Sequence, residues 1–350
     1  MSKELLFGKT LEELQQIVSN EGLPGFTAGQ VCQWLYKRNA RNINEITNLS
    51  IKTREKLSEK FDVGVTVPVN ECKSIDNTKK YLFQTKNNHF IESVYIPEKN
   101  RKTLCVSTQA GCKMKCIFCM TGKQGFKDNL SSGEIISQIR HIPESETLTN
   151  VVYMGMGEPL DNLDAVIKSI KILTSEWGLG WSPRRINVST IGIIPAMKRI
   201  IEESSVHLAI SLHSPFHDER KSLMPIEEKY PIEEVVDTLK KYNFGRQRRI
   251  SFEYILFEGI NDTEKHIKGI SKLLNGFRCR INLIKYHVIS DSALHGCSKE
   301  KTEWFAKKLS EKNFTATIRS SRGEDINAAC GLLSDIPLPF FPFSRSEKVN

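Results

Sequence analysis

The sequence predicts an α/β fold built on a parallel sheet, preceded by a small helical segment and a short antiparallel β extension. Three observations carry this expectation. Apolar residues recur at helical spacing before residue 65, the period shifts towards two from about Val63 to Ile96, and short apolar runs alternate with amphipathic helices from residue 100 onward.

In order along the chain, Leu11-Glu-Glu-Leu-Gln-Gln-Ile-Val18 has helical spacing and stops at Gly22-Leu-Pro-Gly25. Thr27 to Arg38 repeats the pattern, and a third helical segment runs from about Ile51 to Phe61. Tyr81-Leu-Phe-Gln-Thr and His89-Phe-Ile-Glu-Ser-Val-Tyr-Ile96 alternate, as a small antiparallel sheet bridging to the core would. Strands follow near 103–107, 150–154, 186–190, 206–212, 250–256, 280–285 and 315–319. Helices are expected near 131–141, 162–176, 194–204, 231–242, 263–274 and 299–312. Such alternation implies parallel strands joined by right-handed crossovers. The division expected is 1–65 helical accessory domain, 66–99 β bridge, 100–332 core and 333–350 extended tail, the last containing Pro337, Pro339 and Pro342.

With 350 residues the chain can bury a full-sized core. Hydrophobic residues make up 39%, no run reaches the length of a membrane span, and the N-terminus lacks the apolar stretch of a signal peptide. A monomer without membrane attachment is expected. The formal net charge of +9 favours a polyanionic partner and permits RNA.

The run Gln109-Ala-Gly-Cys-Lys-Met-Lys-Cys-Ile-Phe-Cys-Met120 holds Cys112, Cys116 and Cys119. Gaps of three and then two residues let a short loop wrap one face of a cubane iron–sulfur cluster. Such clusters normally take four thiolates, so three leave one iron open to a small-molecule ligand. A structural zinc site is the alternative, with Cys105 as fourth ligand, and would make the chain a zinc-stabilised RNA-binding module. Against it, Cys105 lies in the strand-like run Thr103-Leu-Cys-Val-Ser107, and no second Cys or His pair stands close downstream. Oxidants destroy such clusters, so a reducing cytoplasm is expected.

The three-cysteine loop, with Phe118 before its last ligand, resembles the signature of the radical S-adenosylmethionine (radical SAM) superfamily. The resemblance implies a partial (β/α)6 barrel carrying one [4Fe-4S] cluster. Its open iron would bind the amino and carboxylate groups of SAM, and electron transfer would then split SAM. It also implies SAM contacts at strand ends. Gly157 and Glu158, in Gly155-Met-Gly-Glu-Pro159, match the stretch that grips the amino group. Ser189 matches a ribose or carboxylate contact, and Ser211, Leu212 and His213 match contacts to the adenosine. His287 stands where the family usually shows Asn; it can still donate and accept hydrogen bonds.

Arg319-x-x-x-Gly-x-Asp-Ile-x-Ala-Ala-Cys-Gly331 resembles one subfamily, the adenine methyltransferases of the RlmN and Cfr type. The spacing of Cys105 to Cys112, Ser182-Pro-Arg-Arg185 and Val188-Ser-Thr-Ile-Gly-Ile-Ile-Pro195 agree with it. The implied chemistry uses two SAM molecules. Cys330, as thiolate, takes a methyl group from the first. Hydrogen removal from that S-methyl gives a carbon radical that adds to the adenine ring. Glu92 then accepts the ring proton, and Cys105 attacks the Cys330 sulfur, releasing methylated RNA and a disulfide. Cys105 shares a strand face with Ser107, suiting a polar barrel interior. Glu92 sits on a face with Phe90, Val94 and Ile96, where it must either work or be paired, with Arg101 or Lys102 as candidate partners.

The expected substrates are an adenine of 23S rRNA in the peptidyl transferase centre and the adenosine 3′ to the anticodon in tRNA, both at carbon 2. A flavodoxin-like electron donor is the expected further partner. The Cfr type, acting at carbon 8, is the alternative; Thr121-Gly-Lys-Gln-Gly-Phe126 leans to the RlmN type. Arg184, Arg185, Arg246, Arg248, Arg249 and Arg319 are candidate phosphate contacts. Cys32, Cys72, Cys279 and Cys297 are expected to be structural.

Overall fold

Thr10 and Glu13 form a reciprocal capping box, so helix α1 (Leu11–Asn20) starts where the apolar spacing begins. Helix α2 (Phe26–Cys32) does not continue to Arg38 as the spacing suggests. Its last turns, Gln33–Lys37, widen into a π-helix. The consecutive residues Leu35 and Tyr36 are both fully enclosed, and a wider turn lets neighbours share one face. The Tyr36 hydroxyl donates to the Lys9 carbonyl at 2.5 Å and accepts the Gly8 amide at 3.2 Å. Helix α3 (Ile51–Lys60) starts at a Ser50 cap. This helical segment docks on the core through Gly8 (φ +94°), where a Cβ would stand 2.3 Å from the Gly133 nitrogen.

A computed structural model describes residues 3–245, 248–290 and 292–334. Arg246 and the prolines of the tail lie outside them. Strands β1 (Pro68–Lys73), β2 (Lys79–Gln84) and β3 (Phe90–Glu98) form antiparallel hairpins. The core strands are β4 (Arg101–Cys105), β5 (Asn150–Tyr153), β6 (Ile186–Thr190), β7 (His207–Ser211), β8 (Ile250–Ile255), β9 (Arg280–Ile284) and β10 (Thr315–Ile318). Between them run α4 (Ser132–Arg140), α5 (Leu163–Thr174), α6 (Ile194–Glu203), α7 (His217–Leu223), α8 (Ile232–Lys240), α9 (Glu264–Leu273) and α10 (Lys299–Glu311). The short helices Met120–Lys123 and α7 are additions to the expected alternation.

The ten strands form one sheet in sequential order from β1 to β10, parallel from β4 onward. A doubly wound sheet would reverse its strand order partway. Sequential order is that of a barrel, here left open, since β1 and β10 are its two edges. The β extension is continuous with this sheet: β3 pairs antiparallel with β4, placing Val94 opposite Cys105. The register aligns Ser211, Glu253, Asn282 and Thr317 across β7 to β10, a polar row on one sheet face. No described helix is long and apolar enough to cross a membrane.

Candidate active site at the carboxyl ends of the parallel strands

The cluster loop leaves β4 and is fastened by its backbone. Cys112 donates to the Gly125 carbonyl at 3.0 Å, Cys119 to Cys116 at 3.2 Å, and Ile117 to Leu223 of α7 at 3.1 Å. Gln109–Gly111 also pairs with Phe126–Asn129, closing the loop at its base. Cys112 and Cys116 are buried with Met114, Phe118, Met224 and Phe257, and Cys119 packs against this group. All three are free thiols. Burial pushes Cys112 up to about 12 and also raises Cys116 well above its ordinary value, and each also feels the Cys119 charge.

Among the described residues no three His, Cys, Asp or Glu groups converge closely enough to hold a single metal ion. A mononuclear zinc would need such convergence. A cubane takes each thiolate on a different iron. Three neighbouring, unpaired and shielded thiols therefore fit the cluster, whose charge would displace their protons.

Glu158 lies on the turn after β5, 4% exposed. Its carboxylate accepts the Thr190 hydroxyl at 2.6 Å and the Leu160 and Ile191 amides at 3.1 Å each. Burial nevertheless raises its pKa to about 7, with these hydrogen bonds opposing. A cation brought into this pocket would favour the ionised form. Gly157, before it, has φ +94°, and a Cβ there would stand 2.5 Å from the Gln109 Cβ. Buried Gln109 holds the turn, its carbonyl accepting the Glu158 amide at 2.9 Å and its amide group donating to Asp161 at 2.7 Å. Of the Ser189-Thr190 pair, Thr190 anchors Glu158, whereas Ser189 is half-buried on the opposite strand face.

His213 ends β7 in a left-handed conformation (φ +53°). Its Nδ1 accepts the Ile255 amide at 3.0 Å, which leaves Nε2 carrying the proton. Burial, reinforced by Arg220, lowers its pKa to about 3, so the ring is neutral. Phe118 packs edge-on against it at 4.8 Å, bringing the three-cysteine loop onto the Ser211-Leu-His213 stretch. Beneath lies fully buried Arg220, paired with Glu227. Its guanidinium donates to the carbonyls of Leu212 (3.1 Å), Ile191 (2.9 Å) and Ser211 (2.8 Å), fixing the ends of β6 and β7. Arg220, Glu227, Thr190 and Gln109 were not singled out from the sequence. An arginine on an amphipathic helix looks solvated until the fold encloses it.

The C-terminal loop comes to the same rim. The Met120 amide donates to the Gly331 carbonyl at 2.8 Å, and the Thr121 hydroxyl to the Leu333 carbonyl at 2.8 Å. The Ser334 amide donates to Glu92 at 3.0 Å. Glu92 is also ion-paired with buried Lys80 at 2.8 Å, so the partner across from it is on β2 rather than Arg101 or Lys102. Cys105 is buried at the end of β4, and burial raises its thiol, with the Cys330 charge adding. Cys330 is exposed by surface area, yet burial also raises its thiol, opposed by Arg319. His287 lies beyond β9 with Nε2 2.5 Å from the Ser321 hydroxyl, turned to the loop that leads to Cys330.

The candidate phosphate contacts divide. Arg185 stacks on Trp181 at 3.7 Å and donates to the Thr149 carbonyl at 2.6 Å. Arg248 caps the end of α6 through the Ile201 and Ser204 carbonyls. Arg319 points across the barrel, 3.6 Å from the Met154 sulfur and 4.0 Å from Glu253. These three serve the fold or the lumen, while Arg184 and Arg249 stay exposed.

Comparison with known proteins agrees with this geometry. Residues 106–269 match the family described as the Radical SAM superfamily, and residues 5–63 match the ribosomal RNA large subunit methyltransferase N-terminal domain. A probable dual-specificity RNA methyltransferase RlmN of Phocaeicola vulgatus is 54% identical over 332 residues, covering 95% of each chain. A dual-specificity RNA methyltransferase RlmN of Syntrophus aciditrophicus is 40% identical, covering 93% of this chain and 94% of that one. The crystal structure of a radical SAM methyltransferase from Sphaerobacter thermophilus superposes with a TM-score of 0.88 at 36% identity, over 94% of this chain and 99% of that chain. By sequence and by fold, the chain belongs to the RlmN family of dual-specificity RNA methyltransferases within the radical SAM superfamily.

Proposed function

We infer that the chain methylates carbon 2 of an adenine in 23S rRNA, in the peptidyl transferase centre, and of the adenosine 3′ to the anticodon in tRNA. The observation that carries this reading is the gathering of two free thiols outside the cluster triad. Cys105 lies close enough to feel the charge of Cys330, and both thiols feel that of Arg319. An enzyme that only cleaved SAM would need neither.

Cys112, Cys116 and Cys119 would hold the [4Fe-4S] cluster, which supplies the one-electron chemistry that splits SAM. Glu158 offers a carboxylate to the SAM ammonium, with Gly157 keeping the backbone close. His213 presents Nε2–H, and Ser189, Ser211, Leu212 and His287 complete the SAM contacts. Cys330 accepts a methyl cation equivalent at sulfur, becoming a thioether as S-adenosylhomocysteine leaves. After the methyl carbon joins the ring, Glu92 takes the ring proton. Cys105 Sγ then attacks Cys330 Sγ and the carbon–sulfur bond breaks; the freed carbon takes a proton to become the methyl group, the surplus electron would return to the cluster, and a disulfide forms. A flavodoxin-like donor would supply the cluster's electron, and two electrons from a thiol donor must reduce that disulfide before the next turnover.

Mass spectrometry of nucleosides from rRNA and tRNA incubated with the reconstituted protein tests this. The expected product is 2-methyladenosine in both. Finding 8-methyladenosine instead would establish the Cfr-type alternative.

A further inference from the structure

The end of the barrel opposite the catalytic rim carries a groove of about 1080 Å³ along the N-terminal ends of β8, β9 and β10. Its lining includes Lys240, Arg248, Arg249, Arg278, Arg280 and Lys312, and, among the described residues, no aspartate or glutamate. Two of these cations serve the fold: Lys240 donates to the Leu273 carbonyl at 3.1 Å, and Arg248 caps α6. Arg249, Arg278, Arg280 and Lys312 are exposed and make no side-chain hydrogen bond or ion pair among the described residues.

In parallel α/β barrels this face serves stability rather than chemistry. Uncompensated like charges oppose stability. Beside the groove, His207 is held down to about 4, first by burial and then by Arg249, Arg248, Arg184 and Arg101. Arg101 is lowered first by burial, with Arg319 and Arg249 adding and Glu98 opposing. Such a cluster gains only when an anion of comparable charge joins it. Phe277 and Phe314, half-buried in the lining, add ring surface beneath the cations. Cations along an aromatic floor match a channel for a nucleic-acid strand.

We propose that this groove binds the phosphate backbone of an RNA segment outside the reacting nucleotide, as a second anchor for a large folded substrate. The inference rests on the RNA methyltransferase reading above. β10 is the terminal strand of the sheet, bonded to β9 alone. From Thr315 at the groove to Arg319 at the rim, its open edge spans only ~13 Å at ~3.3 Å per residue. One RNA can therefore follow that edge and occupy both places.

The test uses the full chain with its cluster reconstituted, a full-length tRNA transcript, and a short stem-loop carrying the target adenosine. In R278E/R280E, transcript affinity should fall roughly tenfold or more, and the slope of log affinity against log salt should decrease by about two. Stem-loop methylation and RNA-free SAM cleavage should match wild type, and R278K/R280K should retain transcript affinity. Should R278E/R280E fail to fold, R249Q/K312Q reads the same quantities. Unchanged affinity and salt slope in a folded charge variant overturns the groove assignment, whatever other partner the groove then has. Failure of the wild-type chain to methylate any RNA overturns instead the functional reading on which it rests.

Discussion

The Gly331 carbonyl accepts a hydrogen bond from the Met120 amide at 2.8 Å, so the residue after Cys330 is fastened to the residue after Cys119. Gly331 has φ +86°, and a Cβ there would stand 3.2 Å from the Phe118 carbonyl oxygen. The Cys330 segment and the three-cysteine loop therefore keep a common register.

Gly331→Val should break that register by straining a left-handed position, at a cost of ~1–3 kcal/mol. RNA methylation is expected to fall by at least ~tenfold, since ~1.4 kcal/mol corresponds to one decade in rate. SAM cleavage without RNA should stay near wild type. Measuring both on one preparation checks the prediction, and parallel losses would contradict it.

Cys105→Ala removes the thiol proposed to resolve the intermediate. The expected outcome is a covalent protein–RNA adduct that survives denaturing electrophoresis, with no catalytic turnover. Normal turnover in this variant would show that Cys105 has no resolving role.

Glu158 gives a pH signature. Its folded pKa, about 7, lies above the ordinary 4.5 because burial disfavours the charge. The folded state thus holds the proton more tightly than the unfolded chain. The resulting stabilisation is complete below about pH 4.5 and is lost as pH rises through about 7. At 1.36 kcal/mol per unit the full change is roughly 3 kcal/mol. Denaturant unfolding of cluster-free wild type and Glu158→Gln, at about pH 5 and about pH 8, should show this pH dependence in wild type beyond that of the variant. Equal pH dependence in the two would refute it.

Arg220 and Glu227 are both essentially inaccessible. Removing one partner strands a buried charge, so Glu227→Gln should cost about 3–5 kcal/mol in stability. Replacing both residues by apolar groups of similar volume should cost less than that single change. A double-mutant cycle in denaturant measures the difference.

Much of the core was legible because its periodicities are local. The seven core strands and six amphipathic helices fall where apolar spacing places them, and the three cluster cysteines sit within eight residues. The π turn at Gln33–Lys37 was not legible, because it answers to the enclosure of Leu35 and Tyr36 by segments elsewhere in the chain. The Glu92 partner was misplaced for a similar reason. Sequence proximity suggested Arg101 or Lys102, but the hairpin register brings Lys80 across from β2.

The sequence by itself determined the cluster triad, the strand–helix alternation and the family. These depend on residue type and short spacing, which the backbone reproduces in any context. Only the tertiary structure decided that Cys105, Cys330 and Glu92, separated by up to 238 residues, meet at one rim. It also decided that Arg220 is enclosed beneath them, and that uncompensated cations collect at the opposite end of the barrel. Parallel strands brought side by side put residues remote in the chain on common strand ends. Burial and charge act over those spatial distances, whatever the separation along the sequence.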